Sequence, residues 1–177
     1  MSMDKVASEI ETPFLLHSSP RREGRSMRKV LIAEDDLIIA DMVEEILVAH
    51  GYDVCGIART VSEGIALGRL HKPDLAIIDL RLANGRLGTE IAAQLSVQGA
   101  LGVLYATGTK TELALCGADG DACITKPYRP ADLLRGLEIV ADLALIGTVS
   151  LPFPHGFQLL PLVKSKADAP PEDHCRH

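Results

Sequence analysis

The stretch VLIAEDDLIIA, residues 30–40, decides the fold. A run of apolar residues ends in three consecutive acidic residues, Glu34, Asp35 and Asp36, and apolar residues then resume at helical spacing. This change of period predicts a buried strand that leads directly into a helix. The three like charges are either solvated turn residues or the ligands of something positive.

The same strand-then-helix unit recurs along the chain. Strand-like apolar runs occupy residues 29–33, 53–58, 73–80, 102–108 and 122–126, and helical patterns occupy 36–51, 60–72, 88–99, 109–120 and 129–147. Strands that are apolar on both faces are typical of a parallel sheet covered by helices on both sides. We therefore predict a doubly wound α/β domain over about residues 28–147, with the strand ends at one edge.

Composition narrows the class of protein. The chain has 177 residues, enough for one domain with extensions, and its formal net charge of −6 argues against nucleic-acid binding. Its four cysteines form no CxxC pair, so we predict free thiols in a reducing cytoplasm. No apolar run reaches transmembrane length and no signal peptide pattern opens the chain, so we predict a cytoplasmic protein without membrane contact.

Two extensions flank the predicted domain. Residues 1–27 are predicted to be a flexible leader, because proline and glycine interrupt their short apolar stretch. Residues 148–177 are predicted to be partly docked, with a disordered end. Their apolar segment FQLLPLV, residues 157–163, packs either on its own domain or on a second copy in a homodimer. The terminal HCRH, residues 174–177, is interpreted as solvated and not as a metal site.

Charged and polar side chains stand at the predicted strand ends. Glu34 and Asp35 follow the first strand, Asp79 ends the third, Thr107 ends the fourth and Lys126 ends the fifth. Because parallel strands end at the same edge of a sheet, we expect three acids, a hydroxyl and an ammonium in one crevice. Asp36 is predicted to cap the first helix instead.

These motifs resemble the receiver domain of bacterial two-component response regulators. The resemblance rests on the acidic pair, on Asp79 within PDLAIIDL, on Thr107-Gly108 and on Lys126-Pro127, which occur in this order over about residues 28–147. It implies a flavodoxin-like or CheY-like five-stranded parallel sheet with strand order 2-1-3-4-5. It also implies a protein that signals through protein–protein contacts and is not an enzyme for external substrates.

The resemblance assigns a role to each residue of the crevice. Asp79 would accept a phosphoryl group from a phosphohistidine of a sensor histidine kinase. Lys126 would pair with Asp79 at rest, and Lys126 and Thr107 would contact the phosphoryl oxygens after phosphorylation. The implied cofactor is Mg²⁺, with the ligands Glu34, Asp35, Asp79 and the main-chain carbonyl of Arg81. A histidine phosphotransfer protein is a second implied partner, and no output domain is expected in the thirty or so residues after the last helix.

The sequence departs from the family pattern at several positions. Cys123 replaces the aromatic residue that often rotates on activation, so Tyr105 is either its substitute or simply a core residue. The loop after Asp79 lacks the usual proline and contains glycines that leave it flexible. Arg81 and Thr109, which flank the phosphorylation site, are candidates for setting the rate of autodephosphorylation.

Other function classes fit less well. An aspartate-nucleophile phosphatase needs an aspartate two residues after the nucleophile, where this chain has Arg81. A nucleotide-binding module is disfavoured because ATGTKT lacks the P-loop spacing. A basic arm over residues 21–29 would bind DNA only weakly and in a salt-sensitive way. A degenerate receiver that acts as an interaction or dimerisation module without phosphorylation stays open as the alternative.

Overall fold

The computed structural model describes residues 27–108, Leu115 and residues 119–161, and a single sheet lies at its centre. The strands of this sheet are β1 (Lys29–Ala33), β2 (Asp53–Ala58), β3 (Leu75–Asp79), β4 (Gly102–Thr107), β5 (Ala122–Thr125) and β6 (Phe157–Leu159). They lie in the order β2-β1-β3-β4-β5-β6. The strands β1 to β5 are parallel, which confirms the predicted order 2-1-3-4-5.

Within the described residues, four α-helices connect or follow the strands. They are α1 (Leu37–Ala49), α2 (Val61–His71), α3 (Thr89–Leu95) and α4 (Pro130–Ile146). Helix α4 is the fifth helix predicted from the sequence, and the predicted helix over residues 109–120 lies largely outside the described residues. In the part of the chain that the structure describes, no helix is both long enough and apolar enough to cross a membrane.

Alternation along β1 distributes the core between the two faces of the sheet. Val30 and Ile32 belong to a buried cluster that includes residues of α1 and α4. Leu31 and Ala33 belong to a second cluster with residues of α2 and α3. Successive side chains of a strand point to opposite faces, so a strand buried on both faces must be apolar throughout. This pattern is what allowed the doubly wound arrangement to be predicted.

Local hydrogen bonds and residue types fix where the helices begin, and Asp36 caps the first helix as predicted. The Asp36 carboxylate accepts hydrogen bonds from the backbone N–H groups of Ile38 at 2.9 Å and Ile39 at 3.4 Å, so it caps α1. The Thr60 hydroxyl accepts from the backbone N–H of Glu63 at 3.2 Å and caps α2. Pro130 opens α4, where a missing N–H costs no helical hydrogen bond.

The sixth strand corrects the prediction of five. Phe157–Leu159 pairs antiparallel with β5, with Ile124 opposite Phe157 and Ala122 opposite Leu159. Leu160 follows as a buried residue, so the first four residues of the apolar segment 157–163 pack on their own domain. Three residues are too few to show a strand period, and the strand forms because β5 offers an open edge.

Several predictions fall on residues outside the described ranges. These concern residues 1–26 of the leader 1–27, Thr109, Cys116 and the end of the chain after residue 161. The two cysteines within the described part, Cys55 and Cys123, are free thiols as predicted, and both are half-buried. Burial raises the pKa of both thiols, which disfavours the reactive thiolate.

Candidate functional site

The sheet brings the predicted strand ends to one edge. Ala33, the last residue of β1, is one residue before Glu34, and it lies opposite Ile78, one residue before Asp79. Asp79 lies opposite Ala106, one residue before Thr107. Thr107 in turn lies opposite Thr125, which directly precedes Lys126 on the chain. The register of the parallel strands therefore places all the predicted site residues on neighbouring positions of this edge.

Three carboxylates form an acidic cluster. Glu34, Asp35 and Asp79 each offer one carboxylate oxygen, and these oxygens lie within 4.8 Å of one another. Glu34 is 5% exposed, so its charge is largely removed from water. A hard divalent cation such as Mg²⁺ takes oxygen ligands of this kind and usually keeps waters as well. The donor set therefore fits Mg²⁺, while the main-chain carbonyl of Arg81 stays a predicted ligand.

Lys126 supplies the positive charge opposite this cluster. Its Nζ donates hydrogen bonds of 2.5 Å both to Oδ2 of Asp79 and to Oε2 of Glu34. The lysine side chain is 18% exposed, so water screens the pairs weakly. The contact with Asp79 was predicted from the resemblance, and the equally short contact with Glu34 was not.

Electrostatics in the cluster are dominated by burial and by the ammonium. Burial raises the pKa of the Glu34 carboxyl above its usual value, against the opposing effect of Lys126. For Lys126, burial alone would lower the pKa, but the hydrogen bonds and charges of Asp79 and Glu34 outweigh burial and raise it. Lys126 therefore stays an ammonium at neutral pH and can hold a negatively charged group.

Backbone hydrogen bonds orient the charged side chains. The N–H of Arg81 donates to Oδ1 of Asp79 at 2.9 Å, which leaves Oδ2 to Lys126. The N–H of Asp36 donates to Oε1 of Glu34 at 3.3 Å. The N–H of Lys126 donates to the carbonyl of Thr107 at 2.7 Å, which ties the end of β5 to the end of β4. Hydrogen bonds from the backbone thus hold the carboxylates of Asp79 and Glu34, and the backbone of Lys126 is itself held in place.

Gly88 is a contributor to the site that the sequence reading missed. A Cβ at this position would lie 2.2 Å from the carbonyl oxygen of Asp79, so any other residue would push the loop away from the strand end. The Gly88 N–H also donates to the carbonyl of Leu80 at 3.1 Å. The sequence offered a glycine at the first position of the third predicted helix, residues 88–99, where it was interpreted as loop flexibility.

Tyr105 is a core residue in this structure. Its side chain is fully buried, and its hydroxyl donates to the carbonyl of Asp119 at 2.6 Å. Burial raises the pKa of the Tyr105 phenol far above its usual value, which keeps it protonated. Cys123 lies directly opposite Tyr105 on β5. Of the two interpretations left open by the sequence, the structure shows the packed one.

Comparisons with known proteins agree with this geometry. Residues 30–138 match the family model of the response regulator receiver domain. The transcriptional regulatory protein PdtaR of Mycobacterium tuberculosis is 31% identical over 118 residues, which cover 65% of this chain and 57% of that protein. The aerobic respiration control protein ArcA of Escherichia coli is 29% identical over 128 residues, covering 68% and 52%.

A solved structure shows the same fold. The crystal structure of a CheY-like response regulator receiver domain protein from Methanospirillum hungatei superposes with a TM-score of 0.62 at 31% identity, and the match covers 70% of this chain and 100% of that one. The chain spans little more than half the length of the two curated relatives. The match to the family model covers more than half of the chain, and the chain therefore belongs to the response regulator receiver family.

Proposed function

We propose that this receiver accepts a phosphoryl group on Asp79 from the phosphohistidine of a sensor histidine kinase. One observation carries the proposal: Asp79 lies within an acidic cluster and is held by the ammonium of Lys126 at 2.5 Å. A carboxylate oxygen of Asp79 would bond to phosphorus while the phosphorus–nitrogen bond of the phosphohistidine breaks. The electron pair of that bond would stay on the imidazole nitrogen, so no redox partner is needed.

The remaining site residues would orient and neutralise the phosphoryl group. Lys126 would move from Asp79 and Glu34 to a phosphoryl oxygen, and Thr107 would donate its hydroxyl to another. Mg²⁺, when bound, would neutralise charge on the phosphoryl oxygens. The residues that would hold the cation are Glu34, Asp35, Asp79 and, through its main-chain carbonyl, Arg81.

The signal would pass on through contacts between proteins. We propose residues 28–147 as the receiver unit, a cytoplasmic location, and catalysis confined to the chain's own phosphorylation and dephosphorylation. A histidine phosphotransfer protein or a second copy of this chain would be the partner. The exposed apolar side chains of Leu145, Ile146 and Leu151 support such a contact surface.

Intact-mass analysis after incubation with acetyl phosphate, with and without Mg²⁺, tests the proposal. We expect a phosphoryl adduct on the wild type only when Mg²⁺ is present, and none on Asp79→Asn. Asp41→Asn changes an exposed carboxylate of α1 and is the matched control, which should be phosphorylated like the wild type. A folded wild type that binds Mg²⁺ but takes no phosphoryl group from either acetyl phosphate or a cognate kinase would favour the degenerate receiver instead.

A further inference from the structure

The segment Ser150–Leu160, here called the strap, closes the open edge of β5. Its strand β6 pairs with three of the four residues of β5, from Ala122 to Ile124. The pairing continues beyond both ends: the Leu160 N–H donates to the carbonyl of Asp121 at 2.9 Å, and the Thr125 N–H donates to the carbonyl of Gly156 at 3.1 Å. The strap therefore reaches the residue that directly precedes Lys126.

Contacts of the strap lie on both sides of Lys126. Before the lysine, the hydroxyl of Thr125 also donates to the Gly156 carbonyl, at 3.3 Å. After it, the N–H of His155 donates to Oδ1 of Asp132 at 3.3 Å. Asp132 in turn accepts from Nε of Arg129 at 2.6 Å. The short stretch that carries the lysine thus runs between two points that the strap holds.

Residues of α4 and of the core bind the strap. Arg135 of α4 donates from one guanidinium nitrogen to the carbonyl and to the hydroxyl of Ser150, both at 2.9 Å. The ring of Phe157 lies over Gly136, where an added Cβ would meet the ring at 3.2 Å. Phe157 also packs on the core cluster between the sheet and α4. Ser150 and Phe157 lie seven residues apart on the strap, so neighbouring residues of α4 anchor it at two separate points.

We propose that the strap is a positioning element for Lys126, which holds the Nζ between Asp79 and Glu34. Without the strap, β5 would be a four-residue edge strand paired on one side only, and such edges are the least protected part of a sheet. The lysine side chain is long and flexible, so the place of its ammonium depends on a fixed backbone at Thr125 and Lys126. For the effect on phosphoryl transfer, this inference rests on the function proposed above.

The variant Gln158→Pro tests the strap, and Gln158→Ala is its matched control. Gln158 is exposed and lies opposite Cys123. The pairs two residues away on either side, Leu160 with Asp121 and Gly156 with Thr125, are hydrogen-bonded. Hydrogen-bonded and non-hydrogen-bonded pairs alternate along an antiparallel ladder, so the N–H of Gln158 is expected to donate to β5 as well. Proline removes this N–H, whereas alanine keeps it. Hydrogen exchange of the Leu160 and Thr125 amides reports whether the strap has been released.

Two measurements report on the position of the Lys126 side chain. The first is the side-chain NMR signal of Lys126, which needs no phosphorylation; we expect it to shift in Gln158→Pro and to stay unchanged in Gln158→Ala. The second is the phosphorylation rate with acetyl phosphate and Mg²⁺. We expect a fall of about tenfold for the proline variant, since misplacing a positioned group can cost up to about a hundredfold.

A double-mutant comparison separates positioning from general damage to the fold. In the Lys126→Ala background, Gln158→Pro should cause no further loss of rate, because the strap acts through the lysine. A released strap with an unchanged Lys126 signal, or an equal loss of rate in the Lys126→Ala background, would overturn the proposal. If Gln158→Pro does not fold, Phe157→Ser weakens the anchor and keeps every backbone donor. If the wild type is never phosphorylated, the proposed function is wrong, and the NMR signal of Lys126 still tests whether the strap positions the lysine.

Discussion

The two ends of β5 both hold partly buried carboxylates, but they are built differently. At the amino end, Asp121 accepts from the backbone N–H of Val103 at 2.7 Å, and nearby the Tyr105 hydroxyl is bonded to the carbonyl of Asp119. At the carboxyl end, three carboxylates lie together, and the ammonium of Lys126 bonds to two of them, Glu34 and Asp79. The amino end is closed by neutral backbone groups, while the carboxyl end keeps surplus negative charge.

This difference separates a structural polar network from a binding site. A buried polar group that has found its partner mainly stabilises the fold. A cluster of like charges with too few partners costs stability until a cation joins it, so it is retained for what it binds. The comparison predicts that substitutions at the carboxyl end change activity and the response to Mg²⁺, and that those at the amino end change stability alone.

Lys126→Met should have the largest effect. It leaves Glu34 and Asp79 without their ammonium, and breaking a buried pair in this way costs about 3 kcal/mol of unfolding free energy. Because Mg²⁺ can replace the lost charge, we expect a smaller loss when Mg²⁺ is present. Urea unfolding with and without Mg²⁺ measures both values. Lys29→Met, an exposed lysine at the far end of the sheet, is the control. An equal loss in both variants would contradict the comparison.

Tyr105→Phe should have an intermediate effect, on stability only. It removes the hydrogen bond to the Asp119 carbonyl, and the loss of one such bond costs about 1 kcal/mol. The phosphorylation rate with acetyl phosphate should stay at the wild-type value, since the hydroxyl faces away from the acidic cluster toward the Asp119 backbone. Tyr128→Phe, at a half-buried tyrosine beside Lys126, is the matched control. A large change of rate in Tyr105→Phe would show that the two ends of β5 are coupled.

Asp121→Asn should have the smallest effect, and a stabilising one. Burial raises the pKa of the Asp121 carboxyl, partly opposed by the Val103 N–H, so the folded state binds the proton more tightly than the unfolded state. The ionised carboxylate therefore lowers the stability of the folded state once the pH rises above the usual pKa of an aspartate. Asparagine can still accept from Val103, and we expect a small gain in the free energy of unfolding at pH 7.

Thermal unfolding from pH 3 to pH 7 measures this difference. The advantage of Asp121→Asn should vanish at the acid end, where the wild-type carboxyl is protonated in both states. A variant that is less stable than the wild type at pH 7 would show that the carboxylate makes a favourable interaction at the amino end of β5.

Much of the site could be predicted because its residues lie at the ends of strands or directly after them in the sequence. Once Glu34, Asp79 and Lys126 are each assigned to the end of a parallel strand, their meeting at one edge follows from topology. The approach of Gly88 to the Asp79 carbonyl was not open to prediction, since it depends on the path of a loop. The contact of Lys126 with Glu34 could be found only from the structure, because a long side chain can reach the end of β3 or the end of β1 beside it.

The sequence by itself determined the alternation of strands and helices, the caps of those helices and the residues at the strand ends. These depend on periodicity and on hydrogen bonds between near neighbours in the chain, which local sequence encodes. Only the tertiary structure decided the sixth strand, the burial of Tyr105 and the double contact of Lys126. Each of these joins segments distant in sequence, and the partner that makes a short segment a strand or a tyrosine a core residue appears only when the chain has folded.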